Sequence, residues 1–104
     1  MASKLVLINC RLASSASSSV FVFGKNAELF MKDSVVSGSS SSGVELRRTT
    51  RGAVIEGCTI THCDKSGVFV YQCENVRIAY NYVGYNGSAA VEFAHCKDSE
   101  VKRN

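Results

Sequence analysis

Apolar residues alternate with polar or aromatic ones along Gly67-Val68-Phe69-Val70-Tyr71-Gln72-Cys73, and the pattern returns at Ala90-Val91-Glu92-Phe93-Ala94-His95-Cys96. Val68 and Val70 are two apart and share one face of a strand, while Phe69 and Tyr71 point the other way. From Gly52 onward a shift of 23 lays the chain on itself: Ile55 falls on Ile78, Ile60 on Val83, Val68 on Val91 and Val70 on Phe93. Going backward, one apolar column reads Leu7, Phe30, Ile55, Ile78 and Val101, in steps of 23, 25, 23 and 23. The others read Leu12, Val35, Ile60, Val83; Val20, Val44, Val68, Val91; and Val22, Leu46, Val70, Phe93.

β-Branched residues crowd these stretches, Gly, Asn and Ser punctuate them, and no window sustains a helical apolar spacing. Three short strands per repeat, each returning in phase, describe one turn of a parallel β-solenoid with coils about 4.8 Å apart. One coil cannot bury its own inner face, so stacking must supply the core. A leucine-rich-repeat solenoid has a similar period but needs several leucines per unit, and this chain has five in all. A β-sandwich would carry this periodicity only by accident. The expectation is all-β: about four and a half similar coils forming one domain over 1–104, whole or part of a longer solenoid. In it Ile78 lies enclosed between Ile55 and Val101, and Arg77 is exposed.

The stretch AVIEGCTITHCDKSGVFVYQCENVRIAYNYVGYNGSAAVEF resembles the right-handed parallel β-helix repeats of the pectate-lyase-like superfamily. It is similar in particular to the intracellular repeats of F-box-type adaptor proteins. The matching pieces are the I-x-x-C-x-I or I-x-x-N-x-V core, the polar turn after it and the G-V-x-V strand, over about Leu5 to Asn104. The resemblance implies the fold. It leaves function open, because such repeats carry lyases, hydrolases, tailspikes and binding modules alike.

A net charge of +3 gives no strong attraction to nucleic acid. Arg47, Arg48 and Arg51 form one basic cluster and Lys97, Lys102 and Arg103 another, both read as solvated faces. The apolar run in MASKLVLINCRL stops at Asn9 and Arg11, too short for a signal peptide, and no apolar stretch is long enough to span a membrane. Cytoplasmic residence is the expectation. The cysteines fit it as buried thiols: Cys10 and Cys58 in an inward turn column with Asp33, Asn81 and Asn104, and Cys73 and Cys96 in a second.

Cys58, His62 and Cys63 match no zinc spacing, and no metal or cofactor is implied. The pairs His62/Cys63 and His95/Cys96 project to opposite faces, which denies them a nucleophile–base contact. The candidate site is instead the outward face of the G-V-x-V strand. Its ladders read Phe21, Glu45, Phe69, Glu92, then Phe23, Arg47, Tyr71, Ala94, then Gly24, Arg48, Gln72, His95. The binding candidates are Glu45, Arg47, Arg48, Phe69, Tyr71, Gln72, Glu92 and His95. Glu45 and Glu92 stand about 9.6 Å apart by coil spacing, marginal for an inverting glycosidase pair, with Phe69 between them. The superfamily's hydrolases use clustered aspartates and its lyases use calcium-binding acids with a basic residue; Asp33, Asp64 and Asp98 form no such cluster. The serine-rich segments ASSASSS and VSGSSSSG are expected to be ordered turns, since they keep the length of their counterparts THCDKSG and GYNGSAA.

Two functions follow as expectations. One is a non-catalytic binding or scaffold module that offers its repetitive sheet to a protein partner. The other is a carbohydrate-binding or polysaccharide-degrading domain using Glu45, Phe69, Tyr71 and Glu92. Open coils at either end are expected to self-associate.

Overall fold

The computed structural model describes residues 3–102. β1 (Ser3–Ile8), β2 (Arg11–Ala13) and β3 (Val20–Phe23) form the first coil, and β4 (Ala27–Lys32), β5 (Val35–Ser37) and β6 (Val44–Arg47) the second. The third holds β7 (Ala53–Glu56), β8 (Thr59–Thr61) and β9 (Val68–Tyr71). The fourth holds β10 (Val76–Ala79), β11 (Tyr82–Gly84) and β12 (Val91–Ala94), and β13 (Glu100–Lys102) begins a fifth. Three wholly parallel sheets result, ordered β1-β4-β7-β10-β13, β2-β5-β8-β11 and β3-β6-β9-β12. This is the expected parallel β-solenoid.

Residues facing inward from all three sheets meet in one core, where Met31, Val36, Leu46, Ile55, Ile60, Val70 and Ile78 are fully buried. Two of the expected columns are corrected by the strand register. The first runs Leu7, Met31, Ile55, Ile78, Val101, so Met31 faces the core and Phe30 faces outward. The second runs Leu12, Val36, Ile60, Val83, with Val36 inside in place of Val35. Each slip is a single position within an apolar pair, Phe30-Met31 or Val35-Val36, where hydrophobicity alone does not choose the face. The columns beginning at Val20 and Val22 stand as expected.

The same slip moves the inward turn column to Cys10, Ser34, Cys58 and Asn81, while Asp33 is exposed at φ 52°. Asn104 lies outside the described residues. The Ser34 hydroxyl accepts from the Cys10 amide at 3.1 Å and donates to the Lys32 carbonyl at 3.0 Å. Asn81 makes both its bonds to the coil below: Oδ1 accepts from the Cys58 amide at 2.8 Å and Nδ2 donates to the Ile55 carbonyl at 2.9 Å. In both coils a small polar side chain thus accepts from the turn amide of the coil below, Cys10 or Cys58.

With Met31 and Val36 in place, the steps along the first column become 24, 24, 23 and 23. The lost position lies at the corner between the third and first sheets. Four steps lead from Thr49 to Ala53 and only three from Cys73 to Val76, positions matched by Glu74 donating to Thr49 and Val76 pairing with Ala53. The longer corner needs Gly52 at φ 125°, a conformation that a Cβ would strain. The shorter one turns through Asn75 and Asp98 at φ 60° and 49°.

Arg77 is half-buried, contrary to the expected exposure. It pairs with Glu56 at 2.8 Å and with Glu100 on the next coil, so it links three levels of the stack. All five cysteines are free thiols. Burial pushes the Cys58 thiol up from its ordinary value. No described helix is long and apolar enough to cross a membrane.

Candidate functional site

The outer face of the sheet β3-β6-β9-β12 carries the candidate residues in the expected register. Phe21, Glu45, Phe69 and Glu92 pair in one ladder, and Phe23, Arg47, Tyr71 and Ala94 in the next. Arg48, Gln72 and His95 follow at the corner, with φ of 57°, 53° and 56°. That left-handed turn ends the strand and leaves all three side chains exposed. Arg48 donates through Nε to Gln72 Oε1 at 3.1 Å, and His95 meets the Tyr71 ring edge-on at 6.0 Å.

Arg47 ties the face together. Its Nε lies 2.5 Å from Glu45 Oε2, and its guanidinium carbon lies 5.2 Å and 5.5 Å from the centres of the Phe69 and Tyr71 rings on the next coil. Those rings are nearly parallel, with centres 6.4 Å apart. A guanidinium is planar and weakly hydrated, so it can stack on the rings and keep its fork on a carboxylate.

The serine-rich turns supply the facing wall. A cleft of about 270 Å³ runs between Ser41, Ser42, Lys65, Ser66 and Ser88 on one side and Glu45, Arg47, Phe69 and Glu92 on the other. Ser18 donates to Glu45 Oε1 at 2.8 Å, and Ser66 donates to Glu92 Oε1 at 2.9 Å. Ser18 and Ser66 are absent from the sequence-derived candidates, yet the repeat carries a signal for them. Each stands two places before an inward valine, Val20 or Val68, and each glutamate one place after the valine of the next coil.

The two carboxylates are not equivalent. Burial pushes the Glu45 carboxyl up, but hydrogen bonds from Arg47 and Ser18 and the charges of Arg47 and Lys65 together hold it below its ordinary value. A carboxyl so held is a poor general acid near neutrality. Glu92 is exposed, accepts from Ser66, and forms no ion pair among the described residues. The register sets Phe69 between them, on the coil a substrate bridging both would have to cross.

Elsewhere, Cys58 and Cys63 are buried while His62 is exposed at φ 59°, so the three do not converge. Among the described residues no group of three His, Cys, Asp or Glu side chains could hold a metal ion. The basic cluster of Arg47, Arg48 and Arg51 is divided among Glu45, Gln72 and Glu28, the last 3.2 Å from Arg51. Of the other basic cluster, Arg103 lies outside the described residues. A second aromatic group lies outside the sequence-derived candidates: Tyr85 stacks on His62 with centres 5.5 Å apart, and Tyr80 and Tyr82 stand exposed on the same coil. Local desolvation and the neighbouring Tyr85 push the Tyr82 phenol up.

A family model described as right handed beta helix region matches residues 2–104. No curated protein and no solved structure matches the chain.

Proposed function

The chain belongs to the right-handed β-helix family, and we propose that it is a non-catalytic binding module presenting the β3-β6-β9-β12 face to a protein partner. The observation that carries this reading is the engagement of Arg47 with Glu45, Phe69 and Tyr71. It fixes aromatic and charged side chains on a flat sheet before any partner arrives, which lowers the entropic cost of docking. It also occupies the carboxylate that hydrolysis would need, and Phe69 fills the place between the acids. Phe21 and Phe23, 54% and 57% exposed, extend the face with apolar area suited to an interface core. The cysteines, all free, suit a reducing compartment such as the cytoplasm.

The test is a random-peptide display screen against the folded domain, with a polysaccharide panel assayed for binding and cleavage in parallel. Selected peptides should bind the parent domain and lose about tenfold or more in affinity on Tyr71→Ala, as for an aromatic anchor. Cleavage of any polysaccharide, abolished by Glu92→Gln, refutes the reading in favour of a carbohydrate-active domain.

A further inference from the structure

The repeat places two glutamates in equivalent positions on the outer sheet and gives only one of them an arginine. In the second coil Glu45 is followed two places later by Arg47, on the same strand face. In the fourth coil Glu92 is followed at that position by Ala94. Phe69 and Tyr71 lie on the third coil, paired with Glu45 and Arg47 below and with Glu92 and Ala94 above. The rings therefore have an acid beside them on both levels. On the lower level a guanidinium completes the arrangement; on the upper level Ala94 puts only a methyl group at that position, and His95 beside it meets the Tyr71 ring edge-on at 6.0 Å.

We propose that Glu92, Tyr71 and Phe69 form a receptor for an arginine side chain of the partner, seated over Ala94 as Arg47 is seated beside Glu45. The assignment rests on the protein-binding reading above and names the chemistry of what binds. Charge supports it: Glu92 has a hydrogen bond from Ser66 but no ion pair among the described residues, whereas Glu45 has Arg47 at 2.5 Å. Position supports it in part: the cleft beside Phe69 reaches the exposed Glu92, while Tyr71 and Ala94 stand beside it on the sheet, outside its lining. Lysine fits less well, since its ammonium is compact and strongly hydrated and cannot pair in a fork while lying flat on a ring. Lys65, on the facing wall, lines the cleft beside both glutamates and acts by charge on Glu45.

The experiment is a titration of the ¹⁵N-labelled domain with blocked arginine amide, alongside the blocked lysine and citrulline amides. Arginine should give saturable shifts centred on Tyr71, Glu92 and Ala94, with a dissociation constant about fivefold or more below those of lysine and citrulline. Glu92→Gln should remove that preference. Ala94→Arg should abolish binding by filling the place from within the chain, and its otherwise unchanged spectrum would show that the fold is kept. Equal response to citrulline, or arginine binding that survives Ala94→Arg in a folded domain, overturns the assignment. Displayed peptides that bind through Tyr71 without arginine and tolerate Ala94→Arg overturn it while sparing the binding reading. Failure of every peptide to bind overturns both.

Discussion

Replacing Ile78 by alanine gives a sharp measure of the core. Ile78 is fully buried on β10, paired with Ile55 on one coil and Val101 on the other. The substitution removes three carbons at about 0.8 kcal/mol each, or roughly 2.4 kcal/mol of lost transfer free energy. A cavity adds to this where the surroundings cannot collapse, and hydrogen-bonded coils on both sides resist collapse. The expected loss is therefore about 2–5 kcal/mol. With a urea dependence of about 2 kcal/mol per molar, the unfolding midpoint should fall by roughly 1–2.5 M. Arg77→Ala is the control from the same strand. It breaks contacts with Glu56 and Glu100 at the solvent boundary and should move the midpoint by only a small fraction of that. Equal shifts for the two variants, at unchanged slope, would refute the register on which the core rests.

Gly67→Ala should destabilise the fold by about 1–3 kcal/mol by overpacking, because its Cβ would overlap Val83 and lie 2.8 Å from the Ala90 carbonyl; thermal melting without a loss would reject that close approach. Glu45→Gln should reveal a pH dependence. A lowered carboxyl pKa contributes stability that is complete above its unfolded value near 4.5 and is lost as pH falls through the folded value. The stability difference between parent and variant should thus be flat from about pH 5.5 to 7 and shrink below about pH 4.5, and a constant difference down to pH 3 would contradict the Arg47 and Ser18 contacts. Thr49 is fully buried and its hydroxyl has no hydrogen-bond partner among the described residues, so Thr49→Val should leave stability unchanged or raise it by up to about 1 kcal/mol; a marked loss in urea titration would mean the hydroxyl is satisfied after all.

The third sheet was legible from the chain because its strands alternate strictly. Val68-Phe69-Val70-Tyr71 permits one assignment of faces, and the outward ladders follow from it. The first and second sheets were less so, because Phe30-Met31 and Val35-Val36 offer an apolar residue to either face. Spacing could have decided between them. With Val36 inside, each polar turn separates its flanking core residues by the same eight positions, Leu12 to Val20, Val36 to Val44, Ile60 to Val68 and Val83 to Val91. The period itself changes at the corner near Gly52, and a fixed shift of 23 therefore fails before that point. Partners of the charged residues were legible only through the repeat and not from local sequence. Arg77 lies on an outward face, and only stacked coils bring Glu56 and Glu100 to it. The serines that hold Glu45 and Glu92 stand 27 and 26 residues away in sequence and become neighbours only through the stack.

The nearly even advance of the chain from coil to coil has a kinetic consequence. Every strand pairs with a segment one coil away, so each added coil closes a loop of nearly the same length and meets nearly the same entropic cost. The first pair of coils bears that cost without a covered inner face. Later coils dock onto a surface already formed and recover the cost at once through burial. Folding of such a chain is a nucleated growth, with its barrier in the first two coils to pair. Lengthening the stack should change the equilibrium stability far more than the rate at which a nucleus appears.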